Sequence, residues 1–157
     1  MSRQTFNTSA GFSLIEVICA VALLGGVLIS IAGLMVSGDR LVRSGRRSSE
    51  ALAVAQAIME EINGVSFNQT YTLFSSCTPN LNRCDVDSRT EGTAVEWQDQ
   101  LDRTVNPAAD DDGHAEIVIE SLDDVALEDS QAIRIEVTVS WTEGLRSREI
   151  SLATVRL

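Results

Sequence analysis

Gly11-Phe12-Ser13-Leu14-Ile15-Glu16-Val17-Ile18-Cys19-Ala20-Val21-Ala22-Leu23-Leu24-Gly25-Gly26-Val27-Leu28-Ile29-Ser30-Ile31-Ala32-Gly33-Leu34-Met35-Val36 decides how the rest of the chain is read. From Val17 to Val36 there is no charged residue. A hydrocarbon core of about 30 Å takes about 20 apolar residues in helix, so the run is predicted to span a membrane. Apolar character extends back through Leu14 and Ile15 to Phe12, broken only by Ser13 and Glu16. A secretory signal peptide would start basic, with an apolar segment of roughly 7–15 residues and a small-x-small site after it. Here the segment Met1–Gly11 is polar with one arginine, Arg3, and the apolar run is longer. On hydropathy alone an uncleaved single anchor fits equally well.

Glu16 is the discriminating residue. A carboxylate at the centre of a spanning helix costs about 2.5–3.5 kcal/mol, so intramembrane acids mark functional contacts. Near one end the cost falls, and the plain alternative is a tolerated acid with no role.

The segment Gly11-Phe12-Ser13-Leu14-Ile15-Glu16-Val17, followed by the apolar run, resembles the prepilin cleavage motif of type IV pilins and type II secretion pseudopilins. The resemblance implies that a prepilin peptidase cuts between Gly11 and Phe12 and N-methylates Phe12. It implies a mature chain of 157 − 11 = 146 residues, with a net charge of −11 − 1 = −12 once Arg3 is lost. It further implies partners: the peptidase, other minor pilins or pseudopilins, and the major pilin. The expected location is the bacterial inner membrane, single pass, with a periplasmic head, and then a filament. No cofactor is expected.

Chemistry explains the spacing. Cleavage would leave a cationic amine on Phe12, and Glu16 lies four residues on, about one helical turn away. In a staggered bundle the amine of one subunit can meet the Glu16 of its neighbour. Opposite charges attract strongly in low dielectric, and either left alone is costly. Pairing with its own amine is the alternative. Gly11, without a Cβ, lets the scissile backbone approach the peptidase closely. Cys19, Ala22, Gly26, Ser30, Gly33 and Ser37 recur at intervals of three and four and put small residues on one face, where helices can pack closely.

Charge pulls in two directions. Arg40, Arg43, Arg46 and Arg47 follow the span, whereas Arg3 alone precedes it. The positive-inside bias taken alone would keep that arginine-rich side cytoplasmic; the motif implies the reverse. The chain as a whole carries −11, with twelve cations, all arginine. Such a balance argues against nucleic-acid binding, which needs a basic face. No lysine is present for Schiff-base work, and His114 is the only histidine. No Ser/His/Asp, Cys/His or metal constellation stands out, so an enzyme is not expected. A membrane-anchored adaptor without a filament is the reading from a different class.

Leu41, Leu52, Ala55, Met59 and Ile62 continue a helical stripe, predicting one helix from about Phe12 to Ile62 that stops at Asn63-Gly64. Phe67 to Phe74 reads as a strand or extended loop, and Asn68-Gln69-Thr70 matches a glycosylation sequon of little weight here. Cys77 and Cys84 are expected to form a disulfide outside the cytoplasm, closing a short loop worth about 2 kcal/mol; the alternatives are two free thiols or half of a metal site, which lacks His partners. Thr93 to Val105 predicts a short amphipathic helix stopped by Asn106-Pro107. Asp110-Asp111-Asp112 before Gly113 invites a calcium reading, but consecutive acids lack the alternate spacing of a calcium loop and read as a solvated turn. Strict alternation predicts strands over Ala115–Ser121 and Ile133–Thr142, with Trp141 in the core, and a returning strand over Arg148–Leu157.

The expected fold class is therefore α+β: a long N-terminal helix, its first half transmembrane, packed against a small antiparallel sheet of three or four strands. The expected segments are a leader over 1–11, a spanning half-helix over 12–37 and a head over 38–157. The Trp-bearing short helix, Val137-Thr138-Val139-Ser140-Trp141, a turn and a terminal strand resemble V-type minor pilins and I-type pseudopilins. The resemblance implies a minor pilin that helps start or cap a filament, or a secretion pseudopilin.

Overall fold

A computed structural model describes residues 13–105, 112–143 and 145–157. Helix α1 runs over Leu14–Gly64, a short helix α2 over Phe67–Thr70 and strand β1 over Arg83–Asp87. A 3-10 turn over Gly92–Ala94 leads into helix α3 over Val95–Thr104. Strands β2 (His114–Ser121), β3 (Ile133–Glu143) and β4 (Arg146–Arg156) follow. The chain divides between Val42 and Arg43 into two compact units.

In the N-terminal unit, all the described residues after Ser13 belong to α1. Ser13 opens the helix: its carbonyl accepts the N–H of Glu16 at 3.0 Å and of Val17 at 3.2 Å. Fourteen large apolar side chains from Leu14 to Val36 are between 45% and 78% exposed. Full burial of such a side chain gains at most roughly 1.5–3 kcal/mol, and each of these still has about half or more of that to gain. Among the described residues α1 is the one helix long and apolar enough to cross a membrane.

The C-terminal unit is a helix packed on a sheet. The strands form an antiparallel meander in the order β1-β2-β3-β4. In β3, Ile133, Ile135, Val137, Val139 and Trp141 are buried, and Arg134, Glu136, Thr138, Ser140 and Thr142 alternate with them on the other face. The buried row joins Ala115, Ile117 and Ile119 of β2 and the C-terminal part of α1 in one core. The face that α1 contributes is Ala51, Val54, Ala55, Ile58 and Ile62. Of the stripe expected from sequence, Ala55 and Ile62 are in it, Met59 packs at its margin, and Leu41 is 74% exposed. Ala51 and Ala55 present methyl groups only, which allows a close helix–sheet approach.

Two segments differ from expectation. Phe67–Thr70 is a turn of helix, not a strand. Gln69 Oε1 accepts from the Ser66 hydroxyl at 2.8 Å and from its N–H at 3.3 Å, which favours the tight turn. Strand β1 was not read from sequence, because Arg-Cys-Asp-Val-Asp offers only Cys84 and Val86 as inward residues. It exists by pairing with β2, Cys84 opposite Ile119 and Val86 opposite Ile117.

Candidate functional site

The start of α1 carries Glu16, the acid in the first helical turn. A carboxylate there is favoured by the positive end of the helix dipole, which gives Glu16 a local reason to exist beside any contact with a neighbour. Gly11 and Phe12 lie outside the described residues, so the geometry of the cleavage bond and of the new amine does too.

Along α1, the small-residue stripe has a simple chemistry. Ser30 Oγ donates to Gly26 O and Ser37 Oγ to Gly33 O, each at 2.9 Å. Both hydroxyls are thus satisfied within the helix, the arrangement a hydroxyl needs in hydrocarbon. Around Gly26 and Gly33 nothing lies within 4 Å of where a Cβ would stand. Ala22 sits on the same stripe, exposed like the rest, and Cys19 is a free, exposed thiol. The stripe is open to a neighbouring helix.

In the C-terminal unit, Cys77 and Cys84 form a disulfide with Cα atoms 5.1 Å apart. The bridge ties the segment after α2 to β1. Beside it is a residue that sequence reasoning missed. Glu91 is 4% exposed. Its Oε1 accepts the Ser75 N–H at 3.1 Å and the Ser75 hydroxyl at 2.8 Å, and its Oε2 accepts the Ser76 N–H at 3.1 Å. Burial works to raise its pKa, but the Ser75 and Ser76 donors outweigh burial and hold it down to about 2. Glu91 therefore stays ionised and anchors the start of the disulfide loop. Nothing in the flanking Arg89-Thr90-Glu91-Gly92 marks it out, since its partners come from fifteen and sixteen residues upstream.

Two more polar ties close the unit. Trp97 Nε1 donates to Glu61 Oε2 at 2.7 Å, and the Trp97 ring meets Phe74 edge-on at 5.9 Å. Arg156 donates to Ile62 O at 3.1 Å, Val65 O at 2.8 Å and Thr70 Oγ1 at 2.7 Å. It caps the carbonyl end of α1, where a cation also suits the helix dipole. Trp141, by contrast, is buried with its Nε1 unpaired among the described residues.

Of the acidic turn, Asp110 and Asp111 lie outside the described residues. Asp112 is exposed and accepts from Arg89 Nη1 at 2.9 Å. Arg89 also holds Asp87, whose pKa is lowered chiefly by that hydrogen bond. His114 begins β2 and is partly buried, with Nδ1 3.4 Å from Asp112 O. Among the described residues no three potential ligands come together around a metal position.

No family model, curated protein or solved structure matches this chain.

Proposed function

We propose that the chain is a structural subunit of a type IV filament, of the minor-pilin kind. It would be processed between Gly11 and Phe12 and held in the inner membrane by the first part of α1 before assembly. The observation that carries this reading is the exposed apolar surface of Leu14–Val36 directly behind Gly11-Phe12 and Glu16. The Gly26/Ser30 and Gly33/Ser37 face supports the packing of that helix against sister helices. In this reading Glu16 sets the register of assembly by pairing with the Phe12 amine of a neighbour. The C-terminal unit, helix under a four-stranded meander, serves contacts with other minor subunits and with the major one. No catalytic role is part of the proposal.

Intact mass of the chain extracted from membranes is the direct test. Loss of the eleven residues Met1–Gly11 with gain of one methyl group is the expected result. A chain that still begins with Met1 would reduce the reading to a tethered unit with no filament role.

A further inference from the structure

Ser44 Oγ donates to Glu143 Oε2 at 2.9 Å, and Arg148 Nε approaches the same oxygen at 3.5 Å. These contacts bring the β3–β4 hairpin end to the stretch of α1 that opens the C-terminal unit. Arg146 stands opposite Glu143 in the ladder, and Arg148 opposite Trp141. Ser44 is flanked by Arg43 and followed by Arg46 and Arg47. Residues about a hundred apart in sequence thus place Arg43, Arg46, Arg47, Arg146 and Arg148 at one end of the unit. Five of the chain's twelve arginines stand there against three carboxylates, Glu50, Glu143 and Glu149, in a chain of net charge −11. Arg43, Arg46 and Arg146 are exposed, Arg46 also pairing with Glu50 Oε1 at 2.8 Å, and Leu145 at the hairpin end is fully exposed.

From this arrangement we infer that the arginine-rich end of the C-terminal unit, with Leu145 at its tip, docks on the phosphates of anionic phospholipids at the membrane surface. The inference rests on the reading of Leu14–Val36 as a membrane span. Arg43 follows Val36 by seven residues. Seven residues reach at most about 25 Å, so this basic end stays close to the headgroups wherever the rest of the unit lies. Near a surface of anionic lipid each arginine is attracted appreciably, and an exposed leucine beside arginines enters the interface readily. The same chemistry accounts for arginines on the far side of a span from the leader: they hold headgroups rather than fix orientation.

The test is lipid selectivity of the full chain reconstituted into phosphatidylcholine vesicles containing a minority of phosphatidylglycerol. Spin-labelled phosphatidylglycerol and phosphatidylcholine report which lipid the protein immobilises. The wild type should prefer phosphatidylglycerol at least about fivefold, roughly the effect of one near-surface arginine, and lose the preference at high salt. The hairpin variant Arg146→Gln/Arg148→Gln should lower the preference several-fold, while Arg83→Gln/Arg103→Gln, on β1 and α3, should not. Circular dichroism confirms that each variant is folded, and Leu145→Gln, which removes no polar contact, gives an independent loss. Absence of preference in the wild type, or a preference untouched by the hairpin variants, would overturn the inference. Salt-sensitive self-association in detergent without lipid preference would also overturn it, assigning the surface to an acidic protein partner. If no lipid is immobilised by any form, the span reading itself fails, which is a separate outcome.

Discussion

The indole nitrogen of Trp97 lies 2.7 Å from Glu61 Oε2, so that α3 is bolted to α1 by one charge-assisted hydrogen bond. Trp141, also buried, has no such partner for its Nε1 among the described residues. The pair makes a clean contrast. Trp97→Phe should destabilise the C-terminal unit by about 1–2 kcal/mol, for loss of a bond to a charged acceptor. Trp141→Phe loses no bond and should cost less, about 1 kcal/mol or below, from the smaller ring. Urea unfolding of both variants checks the order; a larger loss for Trp141→Phe would contradict it.

Glu91 gives the pH dependence. Its carboxyl is held near 2 in the folded chain, against an ordinary value of 4.5. A lowered acid binds fewer protons folded than unfolded, so its stabilisation is complete above pH 4.5 and fades as pH falls toward 2. Glu91→Gln should cost about 2–3 kcal/mol at neutral pH, because the Ser75 and Ser76 donors lose a charged acceptor. Acid titration of unfolding free energy should show a shallower fall for Glu91→Gln than for the wild type between these limits.

Removal of the bridge, by Cys77→Ser/Cys84→Ser, should cost about 2 kcal/mol, as expected for so short a loop. The loss should appear as a lower melting temperature with the sheet spectrum retained. Reductant should reproduce the effect in the wild type and leave the double variant unchanged.

Arg156→Gln removes the cap from the end of α1. Loss of donors to Ile62 O and Val65 O should cost about 2–3 kcal/mol. Faster hydrogen exchange around Ile62–Thr70, ahead of that in β3, would locate the damage.

Two variants separate processing from assembly. Gly11→Leu should leave a full-length precursor in the membrane fraction, seen as an unshifted mass. Glu16→Ala should be processed normally and yet enter filaments poorly. Wild-type incorporation of Glu16→Ala would leave Glu16 as a helix-start acid only.

Strands β2 and β3 were legible because their outward and inward residues alternate without a break, and the long helix because its first half is too apolar for anything else. The expected stripe in α1 held Leu41, Leu52, Ala55, Met59 and Ile62; the packed face keeps Ala55 and Ile62, adds Ala51, Val54 and Ile58, and leaves Leu41 exposed, because closeness of approach to the sheet selects differently from hydropathy. The turn of helix at Phe67–Thr70 carries a local signal, Ser66 with Gln69 three residues on, that its threonine- and aromatic-rich composition obscures. Strand β1 is not legible because it is held by its distant partner β2. The same holds for Glu91, an acid whose burial depends on Ser75 and Ser76. Cys77 and Cys84 were legible because they share a short loop outside the apolar run that holds Cys19. The arginine-rich end was half visible, as Arg43, Arg46 and Arg47, but Arg146 and Arg148 joined it only through the hairpin.

The ties across the C-terminal unit span very different lengths of chain. The β2–β3 and β3–β4 pairings are near neighbours in sequence, whereas Arg156 reaches Ile62 across 94 positions and Ser44 reaches Glu143 across 99. Local pairings form early, and closing a long loop is entropically the slower event. During refolding, the meander should therefore assemble before it settles on its helix. In that interval Ile58 and Ile62 would still face water, the exposed apolar surface from which misassembly starts.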